Sequence, residues 1–372
     1  MMPSIFKADA TKFNTLGIGR LTRCVSCIVK EEINGAYELE MTVLSDEPFI
    51  EYIQVSNIIA VKPNMVDPVQ AFVIEEIKRN INGEIQIYGT HVAQHRAKLI
   101  PVGRFATNSL AGVITHLNSS RGTLEPSPFT FKTDMTSTSG FAQNIPKSLR
   151  DVMGGSEGSI LDVYGGEYSY NNFDVLLTSK RGKNAGARVI YGKNMTSFDQ
   201  ENVFDWDDSA TGVLPYWATS EGVADVIGDI QYSQYVDLYP YNKTVTVDFS
   251  DKFDEMPTQA ELEAMAATWI NSKGLPSMTL EVGLDQYDMT FAEVNTLQLG
   301  DAVTVVNSVY NVNYQSRVVG YEFNVLAESY NSLTVGTKKL TIAEVIAQTA
   351  AVTIKKEGLN VSQESSGTLV VG

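Results

Sequence analysis

The residues that come closest to a catalytic pattern are 154–158, which read Gly-Gly-Ser-Glu-Gly. This run has the letters of the G-x-S-x-G nucleophile elbow, in which a strand precedes the serine and a helix follows it. The residues before it are predicted to be helical, and all three histidines of the chain precede Ser156, whereas the elbow needs its histidine afterwards. We therefore interpret Gly154 as a helix stop and Ser156 as the N-cap of the next short helix.

The three histidines, His91, His95 and His116, could in principle bind zinc. His91 and His95 have the i, i+4 spacing of a metalloprotease helix, but the glutamate that serves as general base is missing after the first histidine. His116 adds no recognised companion spacing. We interpret all three as hydrogen-bonded structural histidines.

Cys24 and Cys27 are the only cysteines, and they form a single CxxC. A second CxxC, which a structural zinc site would need, is missing from the sequence. The surrounding residues are typical of a strand, where side chains three positions apart point to opposite faces. We interpret both cysteines as packing residues.

Three short segments resemble ligand-binding motifs, but each lacks a residue that its motif requires. Asp205, Asp207 and Ser209 match the first positions of a calcium loop, but Ala210 and Tyr216 stand where that loop needs glycine and glutamate. The run from Gly186 to Asn194 has one residue too many for a phosphate loop and ends without its Ser or Thr, and Gly17-Ile18-Gly19 lacks a third glycine. The sequence therefore predicts no catalytic residue, no metal and no cofactor.

Charge and hydropathy exclude further classes of function. The 372 residues carry 28 basic and 44 acidic side chains, a net charge of −16 that repels nucleic acids and anionic membranes. We expect no sequence-specific nucleic-acid binding. No run approaches the roughly 18 apolar residues of a membrane helix, and the N-terminus lacks a signal-peptide core, so we expect no membrane insertion.

The element pattern is β-rich with a few helices. Residues 1–100 alternate at the strand period around the hairpin dipeptides Asn34-Gly35 and Asn82-Gly83. Helices are predicted near 109–118, from Pro146 in the first turn up to Gly154, at 157–164, from the capping box of Thr258 and Glu261 to Gly274, and over 341–356. A helical stripe of Leu262, Met265, Ala266, Trp269 and Ile270 predicts a core face.

Three stretches together carry a resemblance: Leu149 to Asn194, Val247 to Ala266 and Leu299 to Gly336. In combination and order they resemble phage and prophage tail proteins described as prophage endopeptidase tail or tail-associated lysin. Residues 34–40 and 70–92 fit the opening domain of that family more loosely. The resemblance covers nearly the whole chain.

The resemblance implies a β-rich α+β, baseplate-hub-like fold with two barrel-like β domains and two smaller α+β subdomains. The corresponding division of the chain is a first barrel-like domain, 1–100; an α+β domain, 101–197; a second barrel-like domain, 198–250 and 275–337; an inserted helix, 251–274; and a C-terminal helix and attachment segment, 338–372.

The implied function is structural and not enzymatic. We expect a homotrimeric ring below the tail tube that contacts distal tail and tube proteins, lets DNA pass without binding it, and is assembled in the bacterial cytoplasm. The alternative is a tail-associated peptidoglycan endopeptidase, with catalysis expected in a separate C-terminal module. The share of charged residues, 19%, favours extensive subunit interfaces.

Overall fold

The computed structural model describes residues 2–119, 122–156, 158–203, 210–219, 223–234, 236–238, 241–253, 255–273, 277–284, 297–310 and 312–339. These residues form two compact units. Unit 1 comprises the described residues of Met1–Phe198, Glu281–Val306 and Asn313–Gly336, and unit 2 those of Asp199–Leu280, Asn307–Val312 and Thr337–Gly372.

A sheet of thirteen strands dominates unit 1. Numbered in chain order, its strands are β1 (Ser4–Phe6), β2 (Gly19–Arg20), β3 (Cys24–Glu32), β4 (Tyr37–Leu44), β5 (Ile58–Val61), β6 (Gln70–Arg79), β7 (Glu84–His91), β15 (Asn184–Ile190), β16 (Met195–Val203), β21 (Ser277–Leu284), β22 (Ala302–Asn307), β23 (Val312–Asn324) and β24 (Ser329–Lys339). The main path runs β16-β21-β24-β23-β3-β4-β7-β6-β5-β1-β2, and β22 lies between β23 and β15.

The predicted strand alternation holds in β4, where Tyr37, Leu39, Met41 and Val43 are buried. Next to it, β3 pairs with the late strand β23, so that Glu31 lies opposite Tyr321. Residues from the first and second predicted barrel-like domains therefore share one sheet. The five-part division of the chain stays a prediction.

The remaining elements of unit 1 are short and pack around a second apolar cluster. The helices are α1 (Val92–Leu99), α2 (Leu110–Asn118), α3 (Leu149–Met153) and α4 (Ile160–Tyr164), with a 3-10 turn at Ile50–Tyr52. The strands are β8 (Pro101–Val102), β9 (Phe105–Thr107), β10 (Thr130–Thr133), β11 (Phe141–Gln143), β12 (Lys147–Ser148), β13 (Glu167–Asn171) and β14 (Asp174–Thr178). Leu110, Val113 and Leu117 of α2 are buried.

The predicted ends of the short helices were partly wrong. Helix α3 begins after Ser148, whose hydroxyl accepts the N–H of Asp151, so Pro146 lies before the helix and not in its first turn. Gly154 ends α3 in an extended conformation with φ −176°, and only Gly165, with φ 66°, ends its helix in the left-handed region. Ser159, not Ser156, caps α4 because its hydroxyl accepts the N–H of Asp162.

Unit 2 is built from a small sheet and one helix. Strand β17 (Gly212–Trp217) is central, with β20 (Thr244–Asp248) parallel on one side and the short strands β18 (Val226–Ile227) and β19 (Gln231–Tyr232) antiparallel to its two ends. Helix α5 spans Gln259–Lys273, and 3-10 turns lie at Val236–Leu238 and Ser250–Lys252.

Helix α5 begins with the predicted capping box, in which Thr258 and Glu261 exchange hydrogen bonds between side chain and backbone. Leu262, Ala266 and Ile270 are fully buried, as the stripe predicts, but Met265 is 36% exposed and does not belong to the core. The predicted end at Gly274 and the predicted helix over 341–356 lie outside the described residues.

Candidate functional site

The nucleophile-elbow serine is a structural residue. Ser156 lies in an exposed turn, and its Oγ donates to the carbonyl of Asp151 at 3.1 Å. The residues before it form α3 and not a strand, so the strained strand-to-helix turn that exposes a nucleophile is not built here. Ser156 is therefore not positioned as a nucleophile.

The three histidines are held by different partners. His91 is fully buried, stacks on Tyr37 with ring centroids 4.3 Å apart, and its Nε2 bonds Gln70 Oε1 at 3.0 Å. Burial lowers the pKa of His91 to about 3, so the ring is neutral at physiological pH. Nδ1 of His95 lies 2.7 Å from Glu75 Oε1. The ring of His116 stacks on the ring of Phe105.

Metal binding finds no support in the part of the chain that the structure describes, where no three His, Cys, Asp or Glu side chains gather into a possible metal site. The calcium-loop candidates Asp205, Asp207 and Ser209 lie outside the described residues. Asn194, at the end of the phosphate-loop imitation, instead closes a turn, because its side chain bonds the backbone of Ile190 and Arg188. No helix among the described residues is long and apolar enough to cross a membrane.

The prediction that Cys24 and Cys27 point to opposite faces was wrong. Both side chains are buried, because the pairing of β3 with β4 slips by one residue between Cys24 and Ser26. This β-bulge shifts the register by one residue, so the side chains of Cys24 and Cys27 both face the interior. Their role as packing residues agrees with this burial, and Cys24 Sγ also donates to the carbonyl of Ser26.

The most distinctive polar group in unit 1 is a buried cluster, which we name the polar clamp: Glu31, Glu167, Arg181, Arg317 and Tyr321. Arg181 Nη1 lies 3.1 Å from Glu31 Oε1, with side chains 12% and 4% exposed. The hydroxyl of Tyr321 donates to the second carboxylate oxygen of Glu31 at 2.8 Å. Residues from β3, from the segment before β15 and from β23 therefore meet in one buried contact.

Glu167 forms the second half of the polar clamp. Its carboxylate receives two parallel bonds from Arg317, of 2.7 and 2.8 Å, and a third from the backbone N–H of Arg181. Arg317 also donates to the carbonyls of Gly300 and Arg181. Such bidentate, charge-assisted bonds fix orientation as well as distance.

A layer of neutral and acidic groups surrounds the polar clamp. Asn64 Nδ2 bonds both Asp67 and the hydroxyl of Tyr321, and Gln298 donates to Asp67 at 2.8 Å. The fully buried Asp301 accepts the N–H of Lys183 at 2.7 Å and that of Gln298 at 3.0 Å. The buried carboxylates thereby obtain the hydrogen bonds that burial requires.

Two glycines allow this packing. Gly182 has φ +83°, and a Cβ built on it would lie 1.9 Å from the carbonyl carbon of Gly300. Gly300 has φ +88°, and its Cβ would lie 2.4 Å from the carbonyl oxygen of Arg181. Only glycine fits both the conformation and the approach of the two backbones.

Electrostatics couple the clamp residues. Burial raises the pKa of Glu31, and Arg181 and Tyr321 oppose that shift. Burial alone would lower the pKa of Arg181, but the Glu31 carboxylate raises it. At Glu167 the bonds from Arg317 and Arg181 outweigh burial and lower the pKa. We treat the two acids as ionised at neutral pH because arginine remains charged.

The polar clamp suits structural work better than catalysis. Its acids are saturated by arginine and backbone donors, and burial raises the pKa of Tyr321 well above its usual range, which keeps the hydroxyl protonated as a donor. Bonds of this kind span up to 290 positions of sequence. What they achieve is to fix three distant segments in one arrangement.

Sequence reasoning missed the clamp residues. The side-chain pairs of the clamp join residues 150 to 290 positions apart, and neither hydrophobic periodicity nor motif spacing reports contacts at that range. The available signal was the glycine beside a charged residue in Arg181-Gly182 and in Gly300-Asp301.

The sequence of part of the chain is similar to a known protein family. Residues 183–346 match the family described as prophage endopeptidase tail. The match contains the predicted stretches at 247–266 and 299–336 and only the end of the stretch at 149–194. No curated protein sequence matches the chain.

Solved structures of prophage tail proteins share the fold. Prophage tail protein gp18 from Listeria monocytogenes EGD-e is 15% identical, with a TM-score of 0.54 over 95% of this chain and 99% of that chain. The 43 kDa tail protein of prophage MuSo2 from Shewanella oneidensis is 11% identical, with a TM-score of 0.59 over 91% and 98%. The tail protein from Neisseria meningitidis MC58 is 10% identical, with a TM-score of 0.54 over 91% and 96%.

The expected β-rich α+β fold is confirmed by the strands, the helices and these structures. The relationship rests on sequence over residues 183–346 and on fold over at least 91% of the chain. The predicted resemblance is thereby confirmed: residues 183–346 match the prophage endopeptidase tail family, and the fold is that of solved prophage tail proteins.

Proposed function

We propose that the chain is a structural hub of a phage or prophage tail. In this proposal three copies form a ring below the tail tube and connect the tube to the distal tip. The observation that carries the proposal is the polar clamp, which joins β3, β23 and the segment around Arg181 through one buried ion pair, one partly buried ion pair and a buried hydrogen bond. A ring under mechanical load needs subunits whose distant segments cannot slide past one another.

The proposed neighbours are the tail-tube protein above, distal tail proteins below and DNA passing through the centre. The net charge of −16 supports passage without binding, since like charges repel the phosphate backbone. We propose assembly in the cytoplasm of the bacterial host and a final position at the tail tip. An electropositive lumen in the assembled ring would contradict this part of the proposal.

The copy number is tested by light scattering coupled to size exclusion, on the full chain over a range of concentrations. The proposal predicts a particle of three times the chain mass of 40.8 kDa. Permanent rings need interfaces on the order of 2,000 Å² or more, so the trimer should survive dilution. A strict monomer, or a closed dimer, would contradict the trimeric ring.

The alternative function is a peptidoglycan endopeptidase, and the observation that favours it is the description of the matching family. It is tested by incubating the full chain with purified cell wall and measuring released peptides by mass spectrometry. We expect no release. Release that Ser156→Ala abolishes, while a matched Ser139→Ala variant does not, would favour the enzyme.

A further inference from the structure

Charge is distributed very unevenly along the chain. Residues 199–280 contain 15 acidic and 3 basic side chains, which account for 12 of the 16 net negative charges. Immediately before them, residues 175–198 contain 5 basic side chains and no acidic one. The positive run lies in unit 1, and the negative run makes up most of unit 2.

The positive run forms an exposed strip on unit 1. We name as the basic strip the exposed residues Lys180, Lys183, Arg188, Tyr191 and Lys193. Its strand, β15, is an edge strand in the described part of the sheet, because it pairs with β22 alone. Ala187 and Val189 of the strand are buried, whereas Tyr191 is 52% exposed between the cations. Positively charged side chains on an edge strand disfavour nonspecific pairing with strands of other chains and favour a negatively charged partner.

Unit 2 presents a sheet face that carries apolar side chains. Helix α5 packs against Val213 and Trp217 of β17, so alternate residues of that strand point the other way. On this second face a groove of about 630 Å³ is lined by Leu214, Tyr216, Thr219, Val223, Ile227 and Asp248, among others. Val223 is 64% and Ile227 57% exposed, as expected of a surface that covers its apolar groups on binding.

The rim of this groove is acidic. Asp248 accepts bonds from the N–H and hydroxyl of Ser250, and Asp225 accepts the N–H of Thr219. These bonds lower the pKa of both carboxyl groups, which are therefore charged at neutral pH. Asp251 follows the groove residue Ser250, is exposed and is paired with Lys252. We name the groove with Asp225, Asp248 and Asp251 the acidic face.

We propose that the basic strip of one copy docks on the acidic face of the next copy. The inference rests on the proposed function, because a contact between two different surfaces repeats around a ring. Two acidic faces would repel each other, and DNA and anionic membranes have the same sign of charge as the acidic face. Tyr191 supplies an amphipathic ring for the apolar groove, and the four cations match the carboxylates of its rim.

The test is sedimentation of the full chain with charge-reversed variants. In the strip variant Lys180, Lys183 and Arg188 become glutamate, and in the face variant Asp225→Lys and Asp251→Lys are combined. The matched control reverses three exposed lysines elsewhere in unit 1: Lys7→Glu, Lys98→Glu and Lys132→Glu. Circular dichroism of each variant checks that the fold is kept.

We expect each reversed variant to associate at least about tenfold more weakly than the unchanged chain and the control. Mixing the strip and face variants should restore association in part, because two of the three contacts in a mixed ring then join opposite charges while the third joins like charges. High salt should weaken association of the unchanged chain, since the Debye length falls to about 3 Å at 1 M.

Association of both reversed variants at the strength of the unchanged chain would overturn the proposed contact and leave the trimeric hub standing. Weakened variants that associate no more strongly in the mixture than alone would also overturn it, because opposite charges on two copies would then not attract each other. A chain that never associates would overturn both the contact and the trimer.

Discussion

Unit 1 and unit 2 are stabilised in different ways. Unit 1 brings distant segments together through a buried ion pair across 150 positions and a buried hydrogen bond across 290 positions. The core of unit 2 is an apolar cluster between α5 and its sheet: Ala210, Val213, Trp217, Phe249, Leu262, Ala266 and Ile270. Apolar contacts suffice where neighbouring elements meet, whereas oriented polar bonds are needed where distant segments must find one register.

The largest expected effect is on the ion pair at the centre of unit 1. Arg181→Met leaves Glu31 buried without its cation, which should lower the free energy of unfolding of unit 1 by about 3–5 kcal/mol. Denaturant titration, followed by amide exchange in β3 and β23, measures this loss. The matched control is Arg188→Met, because Arg188 is exposed, and it should change stability by less than about 0.5 kcal/mol.

Adding Glu31→Leu to Arg181→Met should recover part of the loss, because the buried charge disappears with its partner. Equal losses for Arg181→Met and Arg188→Met would mean that the polar clamp does not stabilise unit 1.

A similar loss of stability is expected where the backbones of Gly182 and Gly300 approach each other closely. Gly182→Ala forces a methyl group against Gly300 and should cost roughly 3 kcal/mol, because neither backbone can yield without breaking clamp bonds. Gly186→Ala is the matched control, since Gly186 has φ +72° with open space around it and should cost only about 1 kcal/mol of strain. Thermal unfolding compares the two, and a reversed order would contradict the packing described for Gly182.

In unit 2 the apolar core predicts a loss confined to that unit. Leu262→Ala should cost roughly 3 kcal/mol because it empties a fully buried site. Amide exchange should accelerate in β17 and β20 and stay unchanged in β3 and β4. Met265→Ala, on the partly exposed side of α5, should have a small effect. Equal acceleration in both units would show that they do not unfold separately.

Low pH should lower the free energy of unfolding of unit 1, but by less than the substitutions above. Because the folded pKa of Glu167 is lowered, its stabilising effect is complete above the unfolded pKa of about 4.3 and is lost as pH falls through the folded pKa. Melting temperatures measured from pH 7 to pH 3 should therefore fall less steeply for Glu167→Gln than for the unchanged chain. Parallel slopes would mean that Glu167 is not held as an ionised partner of Arg317.

The same contrast explains how much the sequence could predict. Helix α5 and its capping box follow from residues within a few positions of each other, as do the alternation of β4 and the extent of α2. The polar clamp and the Cys24 bulge depend on which strand pairs with which, and in what register. Register is decided by the packed sheet as a whole, so no local pattern could reveal either.

The wrong prediction of Ser156 as an N-cap shows a second limit of local sequence patterns. Both Ser156 and Ser159 are suitable N-caps by residue type, and the choice depends on where α4 finds its buried contact through Ile160. That contact belongs to the cluster around α2 and α3, which is assembled from distant segments.

The central claim, that this chain forms a ring in a phage tail, is tested most directly by electron cryomicroscopy of the assembled tail. The account predicts three copies in a ring below the tail tube, around the path of the DNA. A reconstruction that places the chain outside the tail axis, or as a single copy, would contradict it.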